Sequence, residues 1–204
     1  MDLGTAKPSV FERKGVPHFG FDLVEPGERF TVADWKAYAE QKIYEISNRG
    51  KIPIIVGGTG LYIDALIFDY SFSDSAQKNC SDRKEMCSRY KVFGIKTDTK
   101  TLRERLCERA NKMFTQELYD ETAELVEKYG WENQAMKSNV YQFAWKYMQG
   151  ELSREEAIRL NVYDDWHLAK RQKTWFKRNP NILWLPLDKI KPAVIKCIQD
   201  EQRK

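Results

Sequence analysis

Histidine and cysteine are scarce in this sequence of 204 residues. It has two histidines and four cysteines, and no two cysteines stand in C-x-x-C spacing. Structural zinc sites need clusters of such ligands, so we expect reduced thiols and no protein-built metal site. No apolar stretch approaches the ~20 residues that span a bilayer. The first residues also lack the basic and apolar segments of a secretory signal peptide, which predicts a cytoplasmic protein.

The charge and the hydrophobic content are typical of a globular chain with one core. Hydrophobic residues make up 42% of the sequence and charged residues 31%. The net charge of +4 is too small to indicate a nucleic-acid partner by itself. The distribution of the charge says more than its sum, because one short segment is densely positive.

Residues 166–178 hold five positive charges and no acidic residue. The part that carries the charges, residues 170–178, is the basic segment. Helical periodicity places these charges within an arc of roughly 160°, with Leu168, Trp175 and Phe176 on the opposite side. The segment therefore predicts a helix with one buried and one cationic face. A solvated basic face, a pyrophosphate clamp and an RNA-binding surface all fit this pattern. The five residues are Lys170, Arg171, Lys173, Lys177 and Arg178.

A glycine-rich sequence follows a short, unbroken apolar run. Residues 54–56 are apolar and β-branched, which predicts a buried parallel strand. Residues 57–60, the glycine turn, come next, and a helical pattern begins at Leu61. Such a turn allows close approach or a positive φ, and it aims backbone N–H groups and a helix dipole at one point. This is a site for phosphate or pyrophosphate, with the Thr59 hydroxyl as a further donor, although a plain tight turn fits equally well.

The order of elements predicts an α/β fold. Strands and helices alternate in a βαβ arrangement, which implies a parallel sheet with right-handed crossovers. We predict strands at residues 21–24, 54–56, 91–96 and 182–185. We predict helices from Thr31 to about Gly50, from Thr99 to about Gly130, at residues 135–149, from Ser153 to about Arg178, and at residues 193–198.

Several separated segments resemble the tRNA dimethylallyltransferase (tRNA isopentenyltransferase) family. They are DLGTAKP at residues 2–8, VPH at 16–18, FTVAD at 30–34, GKIPIIVGGTGLYI at 50–63, AKRQ at 169–172 and TWF at 174–176. Each segment alone is weak, but the ordered set is specific. The resemblance implies a P-loop-NTPase-like parallel sheet with flanking helices and a helical insertion. It also implies transfer of a dimethylallyl group to the exocyclic nitrogen of the adenine 3′ of the anticodon.

The resemblance further implies roles for individual residues. The partners would be a tRNA anticodon stem-loop and dimethylallyl diphosphate, with Mg²⁺ as cofactor and the enzyme acting as a monomer. The implied catalytic residues are Thr59, Arg171, Lys177 and Arg178; the diphosphate-binding residues are Gly57, Gly58, Gly60 and Lys170; the tRNA-binding residues are Asp2, Thr5, Lys7 and Gln172.

The sequence also departs from the family pattern. It contains no Walker A sequence G-x-x-x-x-G-K-[ST], and the family's first strand and general-base aspartate have no counterpart. We therefore predict one α/β domain over residues 1–204, truncated at its N-terminus, with the insertion reduced to residues 71–89. Asp165 and Trp166 stand where the family usually has Thr-Arg, and Lys177 where it usually has arginine. Two hypotheses stay open: a prenyltransferase, and an inactive fragment or degenerate relative that only binds tRNA.

Overall fold

The structure is a computed structural model that describes residues 1–72 and 85–202. Most of the predicted insertion remnant at residues 71–89 thus lies outside the described residues. The elements, in chain order, are α1 (Val32–Asn48), α2 (Gly60–Ile67), β1 (Phe93–Ile95), α3 (Thr99–Met113), α4 (Gln116–Tyr129), a 3₁₀ helix (Gln134–Lys137), α5 (Asn139–Met148), α6 (Arg154–Phe176), β2 (Leu183–Leu185) and α7 (Leu187–Gln202).

The starts of α1 and α6 follow from local capping. At α1, the Thr31 hydroxyl accepts the N–H of Asp34 at 3.2 Å, and the Asp34 carboxylate accepts the N–H of Thr31 at 2.8 Å. Ser153 and Glu156 form the same reciprocal pair before α6. Both pairs satisfy N–H groups that a helix start leaves without partners, so the predicted starts are confirmed.

The predicted helix from Thr99 to Gly130 is in fact two helices. The helix is interrupted between α3 and α4 at Phe114 and Thr115. Thr115 is extended, with φ −118° and ψ 173°. Phe114 is buried, and its carbonyl accepts a hydrogen bond from Nε of Arg154 at 3.1 Å. The buried ring and the hydrogen bond to the Phe114 carbonyl stabilise this interruption of the helix. The apolar periodicity of the sequence continues through it and therefore did not predict it.

The predicted strands at residues 21–24 and 54–56 are wrong. Neither segment has regular strand structure, and Ile54 and Val56 are 70% and 90% exposed. A strand needs a neighbour whose backbone groups pair with its own. Within the described residues, only β1 and β2 form such a pair, in parallel, with Gly94 opposite Trp184. The α/β class with a small parallel sheet and flanking helices is thereby confirmed.

The chain forms two compact units. Unit 1 comprises Met1–Pro53 and Arg103–Ala169, and unit 2 comprises Ile54–Leu102 and Lys170–Lys204. The core of unit 1 packs α3, α4, α5 and α6 around buried side chains such as Leu118 and Tyr141. Unit 2 buries the second half of α2 and contains the β1–β2 pair. That these units fold as one domain stays a prediction. Among the described residues, no helix combines the length and the apolar content that a membrane crossing requires.

Candidate functional site

The glycine turn in unit 2 lies directly against the C-terminal part of α6. A Cβ atom added at Gly60 would lie 2.5 Å from Cγ of Trp175, and one at Gly58 would lie 2.8 Å from Cδ of Gln172. A Cβ at Gly57 would meet nothing within 4 Å. None of these three glycines has a positive φ. Gly58 and Gly60 are therefore used for close approach, and the group that approaches them is α6.

Trp175 fixes the end of α6 on α2. Its indole Nε1–H donates to Oδ2 of Asp64 at 2.9 Å, and Asp64 is only 1% exposed. The guanidinium of Arg178 lies 4.2 Å from the centre of the Trp175 ring. A buried carboxylate requires hydrogen-bond partners, so this contact holds the basic segment beside the glycine turn. The sequence analysis did not predict this pair. A lone aspartate inside the apolar sequence of α2 does indicate a buried carboxylate that needs a hydrogen-bond partner.

The N-terminus of α2 presents polar groups at the glycine turn. Thr59 is the N-cap residue, but its hydroxyl makes no capping hydrogen bond and the residue is exposed. Its carbonyl accepts the N–H groups of Tyr62 and Ile63. In the described part of the chain, the backbone N–H groups of Gly60 and Leu61 have no hydrogen-bond acceptor. The helix dipole adds partial positive charge at the same place, which favours an anion.

The basic segment has the amphipathic character that its sequence predicts. Its five basic side chains are exposed, whereas Gln172, Trp175 and Phe176 are half-buried. Leu168, predicted on the buried side, is instead 41% exposed. So many positive charges on one short segment create a field that attracts anions.

The predicted tRNA-binding residues near the N-terminus belong to unit 1 and close a loop there. Nζ of Lys7 donates to the carboxylates of Asp2 and Asp22, at 2.6 Å each. The Thr5 hydroxyl donates to the carbonyls of Met1 and Asp2 at 2.9 and 3.1 Å. The Lys7 side chain is 16% exposed, against 62% for Asp2. In residues 1–7, the N-terminal loop, Lys7 thus acts as a cross-link, and the Asp2 carboxylate is exposed.

These ion pairs change the acidities in the N-terminal loop. The hydrogen bond from Lys7, and to a smaller extent its charge, lower the pKa of Asp2 below the usual value. The hydrogen bonds to Asp2 and Asp22 raise the pKa of Lys7. Each shift favours the charged form of its group, which keeps the loop closed at neutral pH.

The two departures from the family pattern in α6 have partners on α3. Nη2 of Arg109 pairs with the Asp165 carboxylate at 2.5 Å, and Asp165 also accepts a bond from Asn161 at 3.3 Å. The guanidinium of Arg103 lies 4.7 Å from the centre of the Trp166 ring. The buried charge of Asp165 is therefore compensated, and Trp166 carries a cation on its face.

The described residues contain no cluster of side chains that could hold a metal ion. Across residues 1–72 and 85–202, no three His, Cys, Asp or Glu side chains come together as ligands. The described residues therefore do not fit a metal cage made of protein groups.

Comparison with known proteins identifies the family. The model of the IPP transferase family matches residues 1–89 and 71–179. The chain belongs to the IPP transferase family. The tRNA dimethylallyltransferase of Carboxydothermus hydrogenoformans is 32% identical over 96% of this chain and 84% of its own length. The tRNA dimethylallyltransferase of Desulforamulus reducens is 29% identical over 93% of this chain and 88% of its own length.

Solved structures support the assignment. The tRNA isopentenylpyrophosphate transferase of Staphylococcus epidermidis matches with a TM-score of 0.83 and 26% identity, covering 100% of this chain and 86% of that chain. The tRNA isopentenylpyrophosphate transferase of Bacillus halodurans matches with a TM-score of 0.82 and 26% identity. That match covers 98% of this chain and 83% of that chain. The predicted prenyltransferase family is confirmed. The functional roles of individual residues in this chain stay predictions. That the fold lacks the family's first strand and Walker A loop also stays a prediction.

Proposed function

We propose that this chain transfers a dimethylallyl group from dimethylallyl diphosphate to the exocyclic nitrogen of the adenine 3′ of a tRNA anticodon. Membership of the IPP transferase family supports this proposal. The observation that carries it within the chain is the contact of the glycine turn with α6, at Gly58 with Gln172 and at Gly60 with Trp175. This contact joins a helix N-terminus and a cationic segment, the two features that a diphosphate site requires.

The chemistry follows from where charge develops. Breaking the allylic C–O bond leaves negative charge on the departing diphosphate. Groups that already point at that charge lower the barrier, because they need no rearrangement during the reaction. In this proposal, the Thr59 hydroxyl and the N–H groups of Gly60 and Leu61 bind the diphosphate oxygens. Gly57 leaves open space beside them, into which the oxygens fit.

The basic segment supplies the opposing charge. Arg171 precedes Gln172, the residue that contacts Gly58, and it is exposed. Its planar guanidinium binds two oxygens at once, which a lysine cannot do. Lys170, Lys177 and Arg178 add positive charge, and Arg178 is held by its stacking on Trp175.

The acceptor base is a separate part of the proposal. An adenine stacked in the anticodon loop has to be turned out before its exocyclic nitrogen can react. We assign tRNA contacts to Asp2, Thr5, Lys7 and Gln172. The exposed carboxylate of Asp2 accepts hydrogen bonds from base N–H groups, and Lys7 fixes its position. The Gln172 amide meanwhile packs on Gly58.

Mg²⁺ enters the proposal with the substrate. Its preferred ligands are oxygens, and it commonly binds substrate phosphates together with water. When bound, it would neutralise part of the diphosphate charge. The described residues supply no ligand cluster for it, so no step above depends on it. We also propose that the enzyme is a cytoplasmic monomer, which sedimentation and cell fractionation would test.

A label-transfer assay tests the proposed function. The purified chain is incubated with labelled dimethylallyl diphosphate and an anticodon stem-loop RNA that has adenine 3′ of the anticodon. We expect label to enter this RNA and not a matched RNA with guanine at that position. Tight binding of the adenine RNA with no label transferred would contradict the proposal and favour an inactive tRNA-binding relative.

A further inference from the structure

Three consecutive backbone N–H groups of the N-terminal loop point at one carboxylate in unit 1. The N–H of Asp2 donates to Oε1 of Glu121. The N–H of Leu3 lies 3.2 Å from Oε1 and 3.1 Å from Oε2, and that of Gly4 lies 3.1 Å from Oε2. Successive N–H groups that converge in this way form an anion-binding nest. Glu121, on α4, fills this nest.

Tyr141 supports Glu121 from the core of unit 1. Its hydroxyl donates to Oε2 of Glu121 at 3.0 Å, and its side chain is completely buried. The ring also packs on the loop, because a Cβ added at Gly4 would lie 2.7 Å from Cε1 of Tyr141. Burial and the nearby charge of Glu121 raise the pKa of Tyr141, so its hydroxyl remains a donor. Glu121 and Tyr141 therefore hold the same few loop residues by independent contacts.

The anchored residues are directly connected to the predicted tRNA contacts. Asp2 bonds to Glu121 through its backbone and to Lys7 through its side chain. The Thr5 hydroxyl bonds to the carbonyl of Asp2. The backbone of Asp2 is thus held by a carboxylate 119 residues away in the sequence.

We propose that Glu121, supported by Tyr141, is a positioning residue for tRNA binding. It holds residues 2–4 in one arrangement, so that Asp2, Thr5 and Lys7 meet the anticodon stem-loop already ordered. Preorganised contacts bind more tightly because less conformational entropy is lost on binding. This inference rests on the proposed function, since the tRNA contacts of the N-terminal loop are part of it.

Glu121→Gln is the decisive variant. It keeps the size of the side chain but replaces one acceptor oxygen with an NH₂ group, which cannot accept the loop N–H groups. We expect faster hydrogen exchange at the amides of residues 2–4. We also expect the Kd for the anticodon stem-loop and the KM for tRNA to rise about 10-fold or more. The kcat and the KM for dimethylallyl diphosphate should stay within about 2-fold, since a positioning residue of this kind acts on RNA binding alone.

The control is Glu124→Gln, an exposed position on the same helix, which should change none of these quantities. Glu121→Asp keeps the charge and should recover part of the RNA affinity. If Glu121→Gln does not fold, Tyr141→Phe replaces it, because this variant keeps the ring and removes one hydrogen bond to Glu121. We expect Tyr141→Phe to weaken RNA binding in the same direction.

Two results would overturn the inference. One is unchanged amide exchange in Glu121→Gln, which would mean that the carboxylate does not hold the loop. The other is faster exchange with unchanged RNA affinity, which would mean that loop order is irrelevant to tRNA. Failure of the proposed function is distinguishable, because a wild-type chain that transfers no label can still be tested for stem-loop binding by filter retention.

Discussion

The indole N–H of Trp175 donates a hydrogen bond of 2.9 Å to the buried carboxylate of Asp64. The two residues lie 111 positions apart in the sequence, and their contact joins α6 to α2. Because Trp175 also packs on Gly60, the same ring determines how closely the basic segment approaches the glycine turn.

Trp175→Phe should therefore weaken unit 2. The variant removes the donor to a buried carboxylate, and we expect the free energy of unfolding to fall by about 1–3 kcal/mol. Urea denaturation of Trp175→Phe, Asp64→Ala and the double variant would measure the coupling between the two residues. Strictly additive effects would mean that the hydrogen bond contributes nothing to stability.

The three glycines should respond differently to alanine. Gly60→Ala should lower the free energy of unfolding by about 1–3 kcal/mol, because the Trp175 ring is held by Asp64 and cannot move aside. Gly58→Ala should be milder, since the end of the Gln172 side chain can swing away. Gly57→Ala, in open space, should change stability by less than about 0.5 kcal/mol and is the matched control. Three equal losses in thermal or urea denaturation would show that close approach to α6 is not the reason for glycine.

The sequence predicted those features that depend on neighbouring residues. The caps of α1 and α6 involve residues three positions apart, as at Thr31 and Asp34, and were found correctly. Gly130 and Gly150 end helices with positive φ, as their positions predicted. These signals are local because a helix end needs partners from its own first or last turn.

The features that the sequence missed depend on distant partners. The apolar run at residues 54–56 resembles a strand, but strand formation requires a paired neighbour that sequence pattern does not reveal. The break at Phe114 depends on Arg154, forty residues away. The resemblance indicated Thr59 and Arg171, whereas the contacts of Asp64 with Trp175 and of Glu121 with residues 2–4 became visible only in three dimensions.

Thr59→Ala tests the hydroxyl of the glycine turn. A hydrogen bond to a charged group is worth about 1.5–3 kcal/mol, so turnover should fall by roughly 10- to 150-fold. The melting temperature should hardly change, because the hydroxyl makes no capping hydrogen bond. Steady-state kinetics and thermal denaturation on the same preparation would check both statements. An unchanged rate would mean that the hydroxyl only shapes the turn.

The N-terminal loop should open at the extremes of pH. The pKa of Asp2 is lowered by Lys7 from the usual 3.8, so its contribution is present above that value and is lost as pH falls through the lower folded pKa. The pKa of Lys7 is raised from 10.5, so its contribution is present below 10.5 and is lost as pH rises through the higher folded pKa. Between these limits the loop should stay closed.

Carbon NMR of the Asp2 carboxyl group would check this directly. Its titration midpoint should lie below 3.8 in the wild type and move up towards 3.8 in Lys7→Met, which keeps the aliphatic stem and removes the charge. A midpoint that does not move would show that Lys7 does not control Asp2.

The most direct test of the central claim is calorimetric binding of dimethylallyl diphosphate to Arg171→Ala and Lys173→Ala. Both variants remove one exposed positive charge next to Gln172, but only Arg171 lies in the segment AKRQ, residues 169–172, that resembles the family. We predict that Arg171→Ala weakens binding about 10-fold or more, whereas Lys173→Ala stays within about 2-fold of the wild type. Equal losses in the two variants would contradict a diphosphate clamp and indicate diffuse attraction of anions.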